Sequence, residues 1–262
     1  MELCSIASGS SGNCVYVSSG STKLLIDAGI SGKRIVDGLA SINVDIADIN
    51  GILVTHEHSD HIQGVPIIAK KYNLDVYGTQ KTLKYIYENA KGKLGEGSLN
   101  EVKADEEFFI GDIRIHPFAT SHDALDPVCY RLEAEDRKIA LATDLGFYND
   151  YIIDNLTDLD GIYLESNHDR NILMVGHYPY NLKIRIAGEK GHLSNDDAAE
   201  LLGRIATPKL KFALLAHLSK ENNYAELAYE TVKARLLNGC SLADDFCLSV
   251  AYRDIPSDVY QV

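Results

Sequence analysis

Six consecutive residues, HEHSDH, place His56, His58, Asp60 and His61 in the pattern H-x-H-x-D-H. Imidazole and carboxylate together suit zinc, iron, manganese or nickel better than magnesium or calcium. Alternate residues of an extended chain point the same way, so His56 and His58 can share one ion. Asp60 and His61, where the chain turns toward a helix, can aim at a second. The plain alternative, a solvated polar loop, does not call for four donors in so short a run. Three further polar residues terminate apolar stretches: His122 after RIHPFATS, Asp144 in KIALATD and His217 in KFALLAH. Strand ends are where an α/β fold presents its chemistry. A lone histidine at such an end reads as a hydrogen-bonded structural residue; three such residues beside H-x-H-x-D-H favour a metal centre.

These donors need elements to hold them. The first third of the chain reads as the strands ELCSIA, NCVYVSS and TKLLIDA, a helix over Gly32 to Ser41, and the strand GILVT that delivers His56. After the histidine run, IQGVPIIAKKY reads as a helix, LDVYG as a strand and TQKTLKYIYENAK as an amphipathic helix. The middle, EEFFIGDIRIHPFAT and PVCYRLEAEDRKIALATD, is strand-rich, with ED as a hairpin signal. The last third alternates: the helix FYNDYIIDNL, the strand GIYLES, the helices YPYNLKIRIAG and NDDAAELLGRI, the strand KFALLAH, the helix ENNYAELAYETVKARLL and the strand FCLSVAY. SNDD supplies an N-cap and first-turn acids to NDDAAELLGRI. Strands and covering helices in both halves suit a four-layer αββα sandwich, an α/β (α+β) arrangement. No linker or repeat interrupts residues 1–262, so one domain is expected.

The chain has 262 residues, 45% hydrophobic and 24% charged, an ordinary globular profile. Its formal net charge of −13 argues against a broad basic face for nucleic acid. It does not exclude a polyanionic substrate, because bound divalent ions reverse the sign of the local field. No apolar run reaches the roughly 20 residues of a membrane span. The start, MELCSIASGSSGN, lacks the pattern of a signal peptide, and the cytoplasm is the expected location. Cys4, Cys14, Cys129, Cys240 and Cys247 form no C-x-x-C pair, so most are expected as buried thiols.

Two other stretches carry chemistry. Glu165 ends GIYLE, and His192 stands between a glycine and a helix start in GHLSNDD. A histidine beside such a carboxylate is a credible general acid for a departing alkoxide, though a mere helix-entry residue is the alternative. Asp60, His192 and Glu165 therefore stand as the catalytic candidates. For substrate contact, Ser10, Ser11 and Asn13 of SGSSGN offer small polar groups and backbone amides suited to a phosphate. Asn167 and His168 follow Glu165, and Lys183 and Arg185 form, with Lys190, the best small basic patch.

The H-x-H-x-D-H run with His122, Asp144 and His217 resembles the metallo-β-lactamase superfamily. That resemblance implies an αββα sandwich with a dimetal site: His56, His58 and His122 for one ion, Asp60, His61 and His217 for the other, Asp144 bridging. GHLSN and AHLS are similar to a motif pair of ribonuclease Z-type phosphodiesterases, in which the first histidine gives a proton and the second binds metal. More specifically, SIASGSSGNC, THEHSDHIQG, LESNHD, GHLSN and AHLSKENN resemble the YycJ/WalJ group of DNA exonucleases. The implied activity is 5′-directed hydrolysis of DNA phosphodiesters with two divalent ions, zinc, manganese or iron, and DNA ahead of RNA as the partner. An RNA-processing nuclease, or a thioester or lactone hydrolase on the same centre, is the alternative. A non-catalytic metal-bound scaffold is a third reading, disfavoured because every expected donor is present. Oligomeric state is not encoded in any of these motifs.

Overall fold

A computed structural model describes residues 1–90, 94, 98–237 and 242–262. Its strands are β1 (Glu2–Ala7), β2 (Cys14–Ser19), β3 (Thr22–Ile26), β4 (Gly51–Leu53), β5 (Val76–Gly78), β6 (Leu99–Glu101) and β7 (Phe108–Ile110). They continue as β8 (Ile113–Ala119), β9 (Val128–Ala134), β10 (Arg137–Ala142), β11 (Gly161–Glu165), β12 (Phe212–Ala216), β13 (Cys247–Val250) and β14 (Tyr260–Gln261). They form two mixed, seven-stranded sheets flanked by helices, the αββα architecture. In the first, order β14-β1-β2-β3-β4-β5-β6, the pairs from β14 to β3 are antiparallel and those from β3 to β6 parallel. The second holds the antiparallel set β7-β8-β9 and the parallel set β10-β11-β12-β13.

The chain divides into two compact units, Met1–Ala119 with Ala124–Glu135 and Tyr252–Gln261, and Thr120–Asp123 with Asp136–Ala251 and Val262. In the first unit β2, β3 and β4 bury Val15, Val17, Leu24, Leu25, Ile52 and Leu53 almost completely. In the second, β11 and β12 are buried along their whole length, as expected of parallel strands covered on both faces. Each fully buried Leu or Ile contributes roughly 1.5–3 kcal/mol. These runs therefore fix the strand ends at which charged residues emerge.

Sequence and structure agree on most elements, including the helices Gly32–Ser41 and Asn195–Ile205. At the expected hairpin, Glu135 (φ 51°) and Asp136 (φ 63°) both take the left-handed conformation of a two-residue turn. The helix expected over IQGVPIIAKKY is split into Ser59–Ile62 and Val65–Tyr72. At the break the Gly64 N–H leaves the helix to donate to the Ala28 carbonyl at 2.7 Å, and Pro66 has no N–H to give. A Cβ on Gly64 would stand 2.3 Å from the Ile30 carbonyl oxygen, so glycine permits that approach. The short strands β6 and β14 and the helix Arg170–Val175 were not evident in the sequence. Cys4, Cys14 and Cys129 are buried and Cys247 is exposed; Cys240 lies outside the described residues. Among the described residues no helix is long and apolar enough to cross a membrane.

Candidate metal centre and proton donor

In the first unit the histidine run leaves β4 already tethered. Asp27 follows β3 in the left-handed region (φ 59°), a conformation an aspartate tolerates better than most residues. Its carboxylate accepts from the Thr55 N–H and hydroxyl, each at 2.9 Å, and from His61 Nδ1 at 2.7 Å. An oxygen partner requires Nδ1–H, which leaves Nε2 of His61 as the lone-pair nitrogen. Asn13 Nδ2 lies 3.1 Å from that Nε2, and the Asn13 side-chain oxygen accepts from Gly9 N–H at 2.8 Å. So the SGSSGN loop is closed over its own asparagine. His56 Nε2 and His58 Nδ1 lie 3.0 Å apart, while His56 Nδ1 contacts the Thr55 hydroxyl at 3.0 Å. Two nitrogens on one tetrahedral zinc are separated by roughly 3.3 Å given Zn–N bonds of about 2.0–2.1 Å. The pair is thus spaced as two ligands of one ion would be. His58 closes the Ser59–Ile62 turn, in which Asp60 Oδ2 stands 3.6 Å from His61 Nε2.

The second unit has its own cluster, with Glu165 at its middle. This carboxylate, wholly buried at the end of β11, accepts from His192 Nδ1 at 2.9 Å and His217 Nδ1 at 2.8 Å through Oε1. Through Oε2 it accepts from the Leu145 and Leu193 amides, each at 3.0 Å. Burial drives the carboxyl group upward, but the His192 charge and the bonds from both rings override it and hold it at about 2. Four donors leave this carboxylate committed as an orienting group. His122 donates from Nδ1 to the Gly191 carbonyl at 3.1 Å, so its Nε2 is the lone-pair nitrogen. Burial pushes His122 below its ordinary range, against the Asp144 charge, which keeps the ring in the neutral form that ligates metal. Asp144 Oδ1 lies 3.6 Å from His122 Nε2, His192 Nδ1 and His217 Nδ1. Asp144 and His217 both take φ 56°, a backbone that strand ends adopt only when surroundings enforce it.

Of the substrate candidates, Ser10 and Ser11 are exposed, and Ser11 Oγ accepts from Arg253 Nη1 at 3.0 Å. Asn13 is turned inward as described. Asn167 is buried and donates to the His217 carbonyl at 2.8 Å, holding the strained strand end. His168 is buried, and burial lowers it to about 4. Lys183 is buried with Nζ donating to the Met174 carbonyl at 2.8 Å, and Arg185 Nε donates to Asp123 at 2.5 Å. Neither cation is therefore presented as an open basic patch.

Sequence reading missed three things. Asp27 carries the signal used for Asp144, a carboxylate ending an apolar strand. Glu165 was paired with His192 but not with His217. The buried amides of Asn195 and Asn223, which bind each other while Asn223 also donates to the Ser166 and Asn167 carbonyls, gave no pattern at all.

Clustered imidazoles and carboxylates of this kind fit a divalent cation, with ring tautomers set by outer oxygen partners. A Beta-lactamase superfamily domain matches residues 22–217. The chain belongs to this superfamily. Its relatives include Exodeoxyribonuclease WalJ of Streptococcus pneumoniae, 44% identical over 233 residues, 88% of this chain and 86% of the relative. Exodeoxyribonuclease YycJ of Bacillus anthracis is 39% identical over 235 residues, 87% and 86% of the two chains. Among solved structures, the metallo-beta-lactamase fold protein YhfI from Bacillus subtilis superposes with a TM-score of 0.72 at 15% identity, covering 99% of this chain and 98% of its own. That last likeness speaks for the fold alone.

Proposed function

We propose that the chain is a metal-dependent DNA exonuclease, hydrolysing phosphodiesters from the 5′ end as one catalytic domain of residues 1–262 in the cytoplasm. The observation that carries the reading is the 44% identity to Exodeoxyribonuclease WalJ across 88% of this chain. The geometry around Glu165 supports the same chemistry. In this reading His56, His58 and His122 hold one ion, Asp60, His61 and His217 the other, and Asp144 both. When bound, two zinc, manganese or iron ions would polarise the phosphate and lower the pKa of a shared water to about 7.

The remaining work falls to side chains. Glu165 fixes His192 by its Nδ1–H and stabilises the ring when it is protonated, so Nε2–H can be delivered to the departing 3′ oxygen. Asp60 assists by orienting the attacking water. Ser10 and Ser11 stand as exposed substrate contacts; Asn13, Asn167, Lys183 and Arg185 would first have to exchange their present partners, and His168 to leave its buried place.

The test offers metal-loaded protein end-labelled duplex DNA, single-stranded DNA, RNA, a lactone and a thioester. Nucleotide release from DNA that disappears in His58→Ala is the expected result; turnover of only the lactone or thioester would overturn the reading. His192→Ala should slow cleavage about 10²–10⁴-fold with its metal content intact. Loss of metal in that variant would make His192 a ligand rather than an acid.

A further inference from the structure

Beside His192 the second unit carries a cleft of about 410 Å³ that none of the residues assigned above lines. One wall is the segment after Asp144. Leu145 N–H is fixed to Glu165, and Gly146 N–H donates to the Ser121 carbonyl at 2.8 Å. A Cβ on Gly146 would stand 2.2 Å from the Glu189 carbonyl oxygen, so glycine alone lets the chain pass there. The segment then presents Phe147 outward at the cleft, 41% exposed. The lining also holds Arg170 and Arg204. Arg170 Nε donates to Ser194 Oγ at 3.0 Å and its Nη2 to Asp197 at 2.5 Å. The Arg204 guanidinium lies 5.6 Å from the centre of the Tyr148 ring, with Nη2 on Glu200 at 2.7 Å. Leu193 also lines it, and its amide is held by the carboxylate that orients His192.

The cleft's chemistry selects its occupant. Two arginines are balanced by Asp197 and Glu189 within the same lining, so no excess positive charge recommends a bare phosphate. An exposed aromatic face beside paired donors and acceptors suits a flat, uncharged ring with hydrogen-bonding edges. We infer that this cleft receives an unpaired nucleobase of the substrate strand, stacked on Phe147, while the neighbouring phosphodiester lies at His192. This rests on the nuclease reading and adds to it how a duplex end is handled. Taking a terminal nucleotide out of the stack costs a few kcal/mol, and a base pocket offsets that unstacking.

The experiment uses the metal-loaded protein and a DNA duplex with phosphorothioate terminal linkages and 2-aminopurine as the terminal base at both ends. Anisotropy reads binding and 2-aminopurine fluorescence reads stacking. The expected result is several-fold quenching on binding, lost in Phe147→Ala and kept in Phe147→Trp. Affinity for the alanine variant should fall about 5- to 150-fold, the usual range for losing one base–aromatic stack. Binding without quenching, or quenching that survives Phe147→Ala, would overturn this inference and leave the nuclease reading standing. Absence of any anisotropy change with the unaltered protein would overturn both.

Discussion

In the first unit the imidazoles come from one six-residue run, and a carboxylate from another strand, Asp27, ties that run down through His61 and Thr55. In the second, His122, Asp144, His192 and His217 come from separate strand ends and loops, and Glu165 gathers two of the rings itself. The two carboxylates are both buried and do related work with different numbers of donors. Asp27 satisfies three donors and Glu165 four, two of them backbone amides that fix the loops on which His192 and the segment after Asp144 depend. Donors that are neighbours in sequence arrive together once their strand is placed. Donors far apart need a buried anion to collect them, and more of the local structure hangs on it.

Glu165→Gln puts that contrast to its hardest test. The amide group must face either two imidazole N–H groups or two backbone N–H groups, so a donor meets donors in a buried site. Losing the orientation of both rings should lower DNA cleavage by about 10²–10⁴-fold, since it removes the support of the proton donor along with that of His217. Steady-state rates on end-labelled DNA read it. A variant within threefold of the unaltered protein would mean that Glu165 is packing rather than organisation.

Asp27→Asn is the matching change in the first unit and should be milder. Its amide group would oppose His61 Nδ1–H and the Thr55 hydroxyl, or else the Thr55 amide, with one ring disturbed instead of two. Zinc retained after dialysis, measured by elemental analysis, should reflect an affinity about 10–100-fold weaker. Equal or larger damage than in Glu165→Gln would erase the asymmetry between the units.

The same asymmetry governs what the sequence reveals. H-x-H-x-D-H is legible because its donors are adjacent and the strand before it is continuous and apolar. Asp144 and His217 are legible as polar residues ending buried strands, though their left-handed backbone is not. Asp27 could have been found by the same rule. The joint grip of Glu165 on His192 and His217 spans 27 and 52 residues and depends on the register of β11 against β12. No spacing rule reaches that far. Lys183 shows the converse: a basic residue in a basic stretch reads as surface, yet its stem is buried and its ammonium caps the Met174 carbonyl.

His168 supplies the most gradual effect, spread over a pH window, and the sharpest reading of depth. It is as buried as His61, but where His61 faces Asp27, His168 Nδ1 has no hydrogen-bond partner among the described residues. Burial lowers it from 6.5 to about 4, against the opposing Glu165 charge. In the folded protein the ring takes a proton near pH 4, and in the unfolded chain near 6.5. Between those values the unfolded state binds more protons, so stability falls as pH falls, by at most about 1.4 kcal/mol per unit from this group. Above 6.5 and below 4 its contribution is flat. Metal-stripped protein followed by denaturant unfolding at several pH values should show that slope, and His168→Phe should be shallower across the same window. Equal slopes would mean the ring finds a partner or water on protonation, and that the interior of the second unit is wetter than the packing around Glu165 requires.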